Sequence, residues 1–171
     1  MLDHLAMLKT LVKHNVDFIV VGGLSAAFHG VPLNTLDLDI VHSRHPDNLT
    51  RLMAALEELD ACYRLRTDVR LTPQLSHLKS PGHQLLRTAH GSLDVLGAIG
   101  DGLTYEDLVQ HSTIFDVGQG LQVRTLNLEK YLELKELLLF EKDRAAIPLL
   151  RAALKEREKL RGKKLGQNTG L

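Results

Sequence analysis

Hydrophobic residues in the first sixty positions follow helical and strand spacings in turn. Leucines recur every third residue from Leu2 to Leu11, which predicts an amphipathic helix. Residues 18–21 form an apolar run, and apolar and acidic residues alternate over 36–40; both patterns predict strands. The predicted elements are a helix ending near His14-Asn15, a strand over 17–21, a short helix over 24–29, a strand over 36–41 and a helix starting at Pro46-Asp47, with Asp47 as its N-cap.

The second half is strand-like first and helical afterwards. Its predicted elements are a meander over 63–96 ending in a strand at 92–96, a short helix over 105–110 opened by Thr104, a hairpin over 114–125, a helix from Asn127 through Phe140 and a helix from about Lys142 to Leu160. This order predicts an α/β (α+β) fold, in which a mixed sheet is flanked by helices and followed by a C-terminal helical pair. We expect one domain over 1–160 and a flexible tail over 161–171.

Composition narrows the class of protein. Lys and Arg together number 21 and are balanced by 21 Asp and Glu, which argues against a general nucleic-acid binder, because such proteins usually carry a basic excess. The one cysteine, Cys62, excludes an intrachain disulfide, and we expect it to be buried. No apolar stretch approaches membrane-spanning length and the N-terminus does not resemble a signal peptide. We therefore expect a cytoplasmic protein with no membrane partner.

Candidate chemistry is concentrated between residues 20 and 40. Gly22-Gly23 follows a predicted strand and precedes a helix, an arrangement in which backbone N–H groups can approach a phosphate closely. Ser25, in the first turn, could add a hydroxyl donor. Asp37 and Asp39 are two residues apart in a predicted strand, so their side chains project to the same face. Adjacent carboxylates repel each other unless a cation lies between them, and such hard oxygen ligands suit Mg²⁺.

These motifs resemble the nucleotidyltransferase-fold superfamily, and more narrowly the small bacterial AbiEii-like nucleotidyltransferases, a group that includes toxins of toxin–antitoxin systems. The resemblance covers about residues 16 to 155. It rests on Gly22-Gly23, His29-Gly30, Thr35 to Ile40, Asn48, Ser92 to Gly97, Leu103 to Leu108, Leu126 to Lys135 and Lys142-Asp143.

The resemblance implies an activity and a set of site residues. It implies transfer of a nucleoside monophosphate from an NTP to an acceptor hydroxyl on tRNA or other RNA, a protein or a small molecule. Asp37, Asp39 and Asp94 would be catalytic and would bind Mg²⁺ or Mn²⁺. Gly22, Gly23 and Ser25 would hold the triphosphate. Lys135 could neutralise phosphate charge, although a helical lysine paired with glutamate explains it equally well.

Some alternatives stay open. Members of this group commonly carry an Arg shortly before the Thr-x-Asp segment, where this chain has Leu33-Asn34. A catalytically inactive member that binds nucleotide or a partner is therefore the alternative to an enzyme. The leucine-rich segment 132–140 fits a buried helix, or an interface with an antitoxin or a second copy. Among the nine histidines, we interpret His29 as a hydrogen-bonded residue at a helix end rather than a metal ligand.

Overall fold

The computed structural model describes residues 2–65, 68–137 and 144–167, with side chains described through 164. The helices are α1 (His4–Lys13), α2 (Gly22–Phe28), α3 (Pro46–Glu58), α4 (Leu75–Leu78), α5 (Tyr105–Leu108), α6 (Leu128–Leu137) and α7 (Ile147–Gln167). The strands are β1 (Phe18–Val21), β2 (Asp37–His42), β3 (Cys62–Tyr63), β4 (His83–Thr88), β5 (Gly91–Leu96), β6 (Ser112–Asp116) and β7 (Gln122–Leu126). Within these ranges, no helix is both long enough and apolar enough to cross a bilayer.

The strands form one mixed sheet in the order β3-β4-β5-β2-β1-β7-β6. Strand β2 runs parallel to β5 and antiparallel to β1, while β1 pairs in parallel with β7. Helices cover the sheet and α6 packs against α7, which confirms the predicted fold class with its C-terminal helical pair. The central β2–β5 pair positions the candidate site.

Alternating side chains of the central strands build one core on each face of the sheet. Val20 and Ile40 pack with α1 and α3, whereas Ile19 and Val41 pack with α2, α5, α6 and α7. Asp39 is two residues from Val41 in the same strand and therefore projects to the face covered by α2 and α6. The candidate carboxylates thus lie on the face of the sheet that α2 and α6 cover, and the Gly-Gly turn lies at the start of α2.

Most predicted element boundaries agree with the structure, with differences at the helix ends. Asn15 has φ 54° just after α1, as expected of a residue that tolerates the left-handed conformation. The assignment of Asp47 as an N-cap was wrong: helix α3 begins at Pro46 and His45 occupies the N-cap position. Proline is favoured at the first helical position because it has no N–H to leave unpaired, so the helix begins one residue earlier.

Two further differences concern the second half. Helix α7 continues through Gln167, seven residues beyond its predicted end, whereas the predicted helix boundaries at Phe140 and Lys142, together with the Lys142-Asp143 motif, lie outside the described residues. The predicted meander contains the short helix α4, capped by Gln74 and His77. Glutamine is an unusual N-cap, so the capping rule gave no signal there.

Two histidines, one half-buried and one buried, hold backbone carbonyls. The Nε2 of His29, at the end of α2, donates to the carbonyl of Leu126 at 2.9 Å, and Arg157 of α7 donates to its Nδ1 at 3.0 Å. This confirms the interpretation of His29 as a hydrogen-bonded helix-end residue. His42 similarly bonds the carbonyl of Leu78 at 3.0 Å. Burial lowers the pKa of both imidazoles, and for His29 the cation of Arg157 lowers the pKa further.

The two histidines should therefore contribute stability that is lost in acid. A histidine whose pKa is lower in the folded than in the unfolded chain binds its proton more readily when unfolded, so stability is lost as pH falls below about 6.5. We expect the change in Tm from pH 7 to pH 5 to be more favourable in His29→Gln and in His42→Gln than in the wild type. Each contribution should stay below about 1.4 kcal/mol per pH unit, the value for one fully linked proton.

Thermal unfolding at several pH values measures this dependence. His45→Gln is the matched control, since that side chain is exposed and ion-paired only loosely with Asp47, 3.9 Å away. Equal slopes for the wild type and for the variants at positions 29 and 42 would contradict the assignment.

Candidate active site

The turn between β1 and α2 is built around Gly22. Its φ of +66° lies in the left-handed region, which side-chain-bearing residues rarely adopt. A Cβ at this position would lie 3.0 Å from the Cγ of Asp39 and would overlap its Oδ2. Glycine therefore allows the chain to turn directly from strand to helix and brings the turn's backbone against the Asp39 carboxylate.

Gly23, Ser25 and Thr35 fix this turn to the start of β2. A Cβ on Gly23 would lie 3.0 Å from the Cβ of Thr35, whose hydroxyl donates to the carbonyl of Asp37 at 3.0 Å. Ser25 is completely buried, and its hydroxyl donates to the carbonyl of Gly22 at 2.9 Å. The serine hydroxyl thus stabilises the turn, while its contact with a triphosphate stays a prediction.

Parallel pairing of β2 with β5 brings the candidate carboxylates together. Asp39 is the register partner of Asp94. Asp37 lies two residues earlier in β2, so its side chain is on the same face as that of Asp39. Burial, followed by the charges of Asp94 and Asp37, raises the pKa of Asp39 to about 7. Burial also raises the pKa of Asp94, with a further contribution from Asp37. The three side chains therefore interact electrostatically, as their strand positions imply.

Arg64 is the site residue that the sequence did not single out. It directly follows β3, and its Nη2 donates to Asp94 Oδ2 at 3.1 Å. Its Nη1 lies 2.8 Å from Asp94 Oδ1 and 3.8 Å from Asp37 Oδ1. Arg64 follows β3 and Asp94 lies in β5, two strands that are joined only through β4, so no local spacing connects the two residues. A lone arginine beside a strand gives no signal of a site until the sheet order is known.

Lys135 approaches the same region from α6. It is half-buried, its charge lowers the pKa of Asp39, and its Nζ lies 5.5 Å from the centre of the Tyr131 ring. The sequence left this residue between a phosphate contact and a lysine paired with glutamate. The positive charge that acts on Asp39 from α6 is therefore that of Lys135, while its contact with phosphate stays a prediction.

The donor set fits a divalent cation in type but is not gathered into a ligand shell. Carboxylate oxygens are the ligands preferred by Mg²⁺ and Mn²⁺, and mutual repulsion at Asp39 and Asp94 is relieved by added positive charge. Across the described ranges, however, no three acidic, histidine or cysteine side chains form a group ready to hold a metal. Arg64 supplies the cation that contacts Asp94 and Asp37 instead.

Several solved structures are similar in fold to this chain, and they include an adenylyltransferase and a proposed nucleotidyltransferase. The lincosamide antibiotic adenylyltransferase LnuA, solved with lincomycin bound, matches 86% of this chain and 94% of its own, with a TM-score of 0.59 and 15% identity. ANT(2")-Ia in complex with adenylyl-2"-tobramycin matches 95% of each chain, with a TM-score of 0.53 and 16% identity. TM1012 from Thermotoga maritima, a proposed nucleotidyltransferase, matches 95% of this chain and 89% of its own, with a TM-score of 0.52 and 19% identity.

The chain has the nucleotidyltransferase fold. The identities are low, so the likeness establishes the architecture alone. No protein-family model and no curated protein matches the sequence.

Gly22→Ala tests the role of the turn. The added Cβ meets the Asp39 carboxylate and the residue is strained at its positive φ, so we expect a loss of about 1–3 kcal/mol in the free energy of unfolding. Gly102→Ala is the control, because that glycine also has a positive φ, of 88°, but a Cβ there would meet no atom within 4 Å. Denaturant unfolding should show the larger loss for Gly22; equal losses would mean that the contact with Asp39 is not limiting.

Asp39→Asn tests how much the burial of Asp39 beside two other carboxylates lowers the free energy of unfolding. An acid whose pKa is higher in the folded chain favours folding while protonated, and that benefit is lost as pH rises from about 4 to about 7. Asparagine carries no charge, so in EDTA the variant should be more stable than the wild type at pH 8, by about 1–3 kcal/mol, and by less at pH 5.

Thermal unfolding of both proteins at the two pH values measures the difference. Asp47→Asn, which alters a carboxylate exposed over 81% of its side chain, should show no such pH-dependent gain. A stability difference independent of pH would contradict the electrostatic explanation.

Proposed function

We propose that this protein is a metal-dependent nucleotidyltransferase that transfers a nucleoside monophosphate from an NTP to an acceptor hydroxyl. The observation that carries the proposal is the placement of Asp37 and Asp39 on the strand that pairs in parallel with that of Asp94, beside the Gly22 turn. The shared fold of LnuA and ANT(2")-Ia supports it.

The protein groups divide the work of transfer. The backbone of Gly22 and Gly23 faces the triphosphate and Lys135 neutralises part of its charge. Asp94, aided by its neighbouring carboxylates, accepts the proton of the acceptor hydroxyl as that oxygen bonds to the α-phosphorus. The bond between the α-phosphorus and the oxygen bridging to the β-phosphate breaks, and pyrophosphate leaves. Most of the catalysis would come from positioning and charge stabilisation.

Asp37, Asp39 and Asp94 would hold the divalent cation, Mg²⁺ or Mn²⁺. When bound, such an ion neutralises charge on the carboxylates and on the phosphates that meet there. The raised pKa of Asp39, about 7, supports this assignment, because the site as built favours added positive charge.

The biological role of the proposed transfer depends on which molecule carries the acceptor hydroxyl. LnuA and ANT(2")-Ia were solved with an antibiotic and an adenylylated antibiotic, which supports a small-molecule hydroxyl as one candidate. The resemblance to AbiEii-like proteins supports tRNA or a protein as acceptor, with a toxin role. A leucine at the end of α6, Leu137, is 63% exposed, which is compatible with the antitoxin or homodimer interface expected there.

A nucleotide-binding or partner-binding protein without transfer activity is the second candidate. It is favoured by Arg64, whose guanidinium contacts two of the three carboxylates. It is also favoured by Leu33 and Asn34, since this segment lacks the arginine common in the group.

A labelling experiment tests the transfer. The protein is incubated with each α-³²P-labelled NTP, Mg²⁺ or Mn²⁺, and three acceptor pools: bulk tRNA, cell-extract protein, and aminoglycoside and lincosamide antibiotics. Label should enter one pool, and Asp39→Ala and Asp94→Ala should lower the rate by about 10²–10⁴-fold, as expected for lost catalytic groups.

Asp47→Asn is the matched acidic control and should retain activity, since its exposed side chain lies at the start of α3. Nucleotide binding without labelling of any pool would favour the non-catalytic candidate. Growth arrest on expression that depends on Asp39 would support the toxin role, whereas arrest by the Asp39→Ala variant would remove that support.

A further inference from the structure

Arg64 lies at the centre of the proposed site without a role in the proposed chemistry. Its side chain is 26% exposed, and that of Asp94 is only 11% exposed. A guanidinium at this position neutralises carboxylates that would otherwise repel each other in a partly buried setting. Arg64 therefore acts as the internal counter-cation of the cluster.

The Arg64–Asp94 contact leaves hydrogen-bonding capacity unused. One hydrogen bond joins Arg64 Nη2 to Asp94 Oδ2 at 3.1 Å. The second contact, from Nη1 to Oδ1, is as short as 2.8 Å, yet it lacks hydrogen-bond geometry. Both atoms are buried, and among the described residues neither has a hydrogen-bond partner. An unmade buried hydrogen bond is costly, so a ligand that satisfied these two atoms separately would gain over the pair as it stands.

Positive charge for a triphosphate is scarce on the neighbouring segment. Residues 30–36, which lead into β2 and contact the Gly-Gly turn through Thr35, contain no lysine or arginine. Arg64 instead lies 3.8 Å from Asp37, the first residue of β2. Its planar guanidinium can bind two phosphate oxygens in the same forked geometry that it offers to a carboxylate.

We infer that Arg64 exchanges partners: it competes with a divalent cation for Asp94 and Asp37, and once displaced it binds the phosphates of the incoming nucleotide. This inference rests on the proposed function, and it makes Arg64 a substrate-binding residue of the same site. The exchange would couple entry of the cation to binding of the triphosphate, because the cation frees the arginine that the triphosphate needs and the triphosphate frees the carboxylates that the cation needs.

Opposite changes in two binding constants test the inference. With Mn²⁺ alone as probe, Arg64→Ala should bind the cation about tenfold more tightly, because no guanidinium competes for the carboxylates. With Mg²⁺ at saturation and inorganic tripolyphosphate as probe, the same variant should bind about tenfold more weakly, because a charge-assisted bidentate contact is lost. Calorimetry measures both constants without any turnover.

Arg70→Ala is the matched control, because Arg70 also lies between β3 and α4 but pairs with Asp60. It should leave both constants unchanged. Arg64→Lys keeps the charge but loses the fork, so it should shift both constants in the same directions by smaller factors. Circular dichroism and the Tm check folding; if Arg64→Ala does not fold, Arg64→Lys carries the test.

Weakening of both constants, or no change in Mn²⁺ affinity, would overturn the inference. The binding measurements separate it from the proposed function. Opposed shifts in a protein that labels no acceptor would sustain the role of Arg64 and refute transfer. Labelling by a wild-type enzyme whose affinities are insensitive to Arg64 would sustain transfer and refute the exchange.

Discussion

The structure depends most on the parallel register between β2 and β5. That register places Asp39 opposite Asp94 at the centre of the sheet, where burial and like charge raise the pKa of Asp39 to about 7. A fold selected for stability alone would place apolar side chains there, as it does at Val41 on the same face. Two neighbouring cations reduce this electrostatic cost: Arg64 ion-pairs with Asp94, and Lys135 adds positive charge from α6. Gly22 leaves room for the Asp39 carboxylate, because it has no side chain.

Much of the stability is supplied by the two cores that hold this register. Every central strand contributes to both cores, so a slip of one residue between β2 and β5 would exchange buried and polar faces along the whole pair. The same apolar packing that stabilises the fold therefore fixes the distance between the carboxylates.

Local sequence patterns predicted the helices and strands and the site residues between positions 20 and 40. The other site residues depend on contacts between segments that are distant in sequence. Alternation placed Asp37 and Asp39 on one face, and the Gly-Gly spacing predicted the turn at Gly22. The role of Asp94 was assigned through a family resemblance, because its strand is not adjacent to β2 in sequence. Arg64 was missed for a related reason: it reaches Asp94 only through the order β3-β4-β5, and a strand of two residues leaves almost no periodic signal. The predicted helix starts were wrong where the N-cap residue is an unusual one, as at His45 before Pro46.

The neutral net charge also takes on a different meaning once the sheet order is known. Equal numbers of acids and bases could describe an evenly mixed surface, but here three acids and two bases from separate elements converge on one sheet face. In this arrangement the local charge is close to balanced as long as Arg64 stays on Asp94. A bound cation would overbalance it and release the arginine, and an anionic triphosphate would restore the balance. Cation and nucleotide should therefore bind more favourably together than either does alone, a coupling that follows from charge neutrality at a partly buried site.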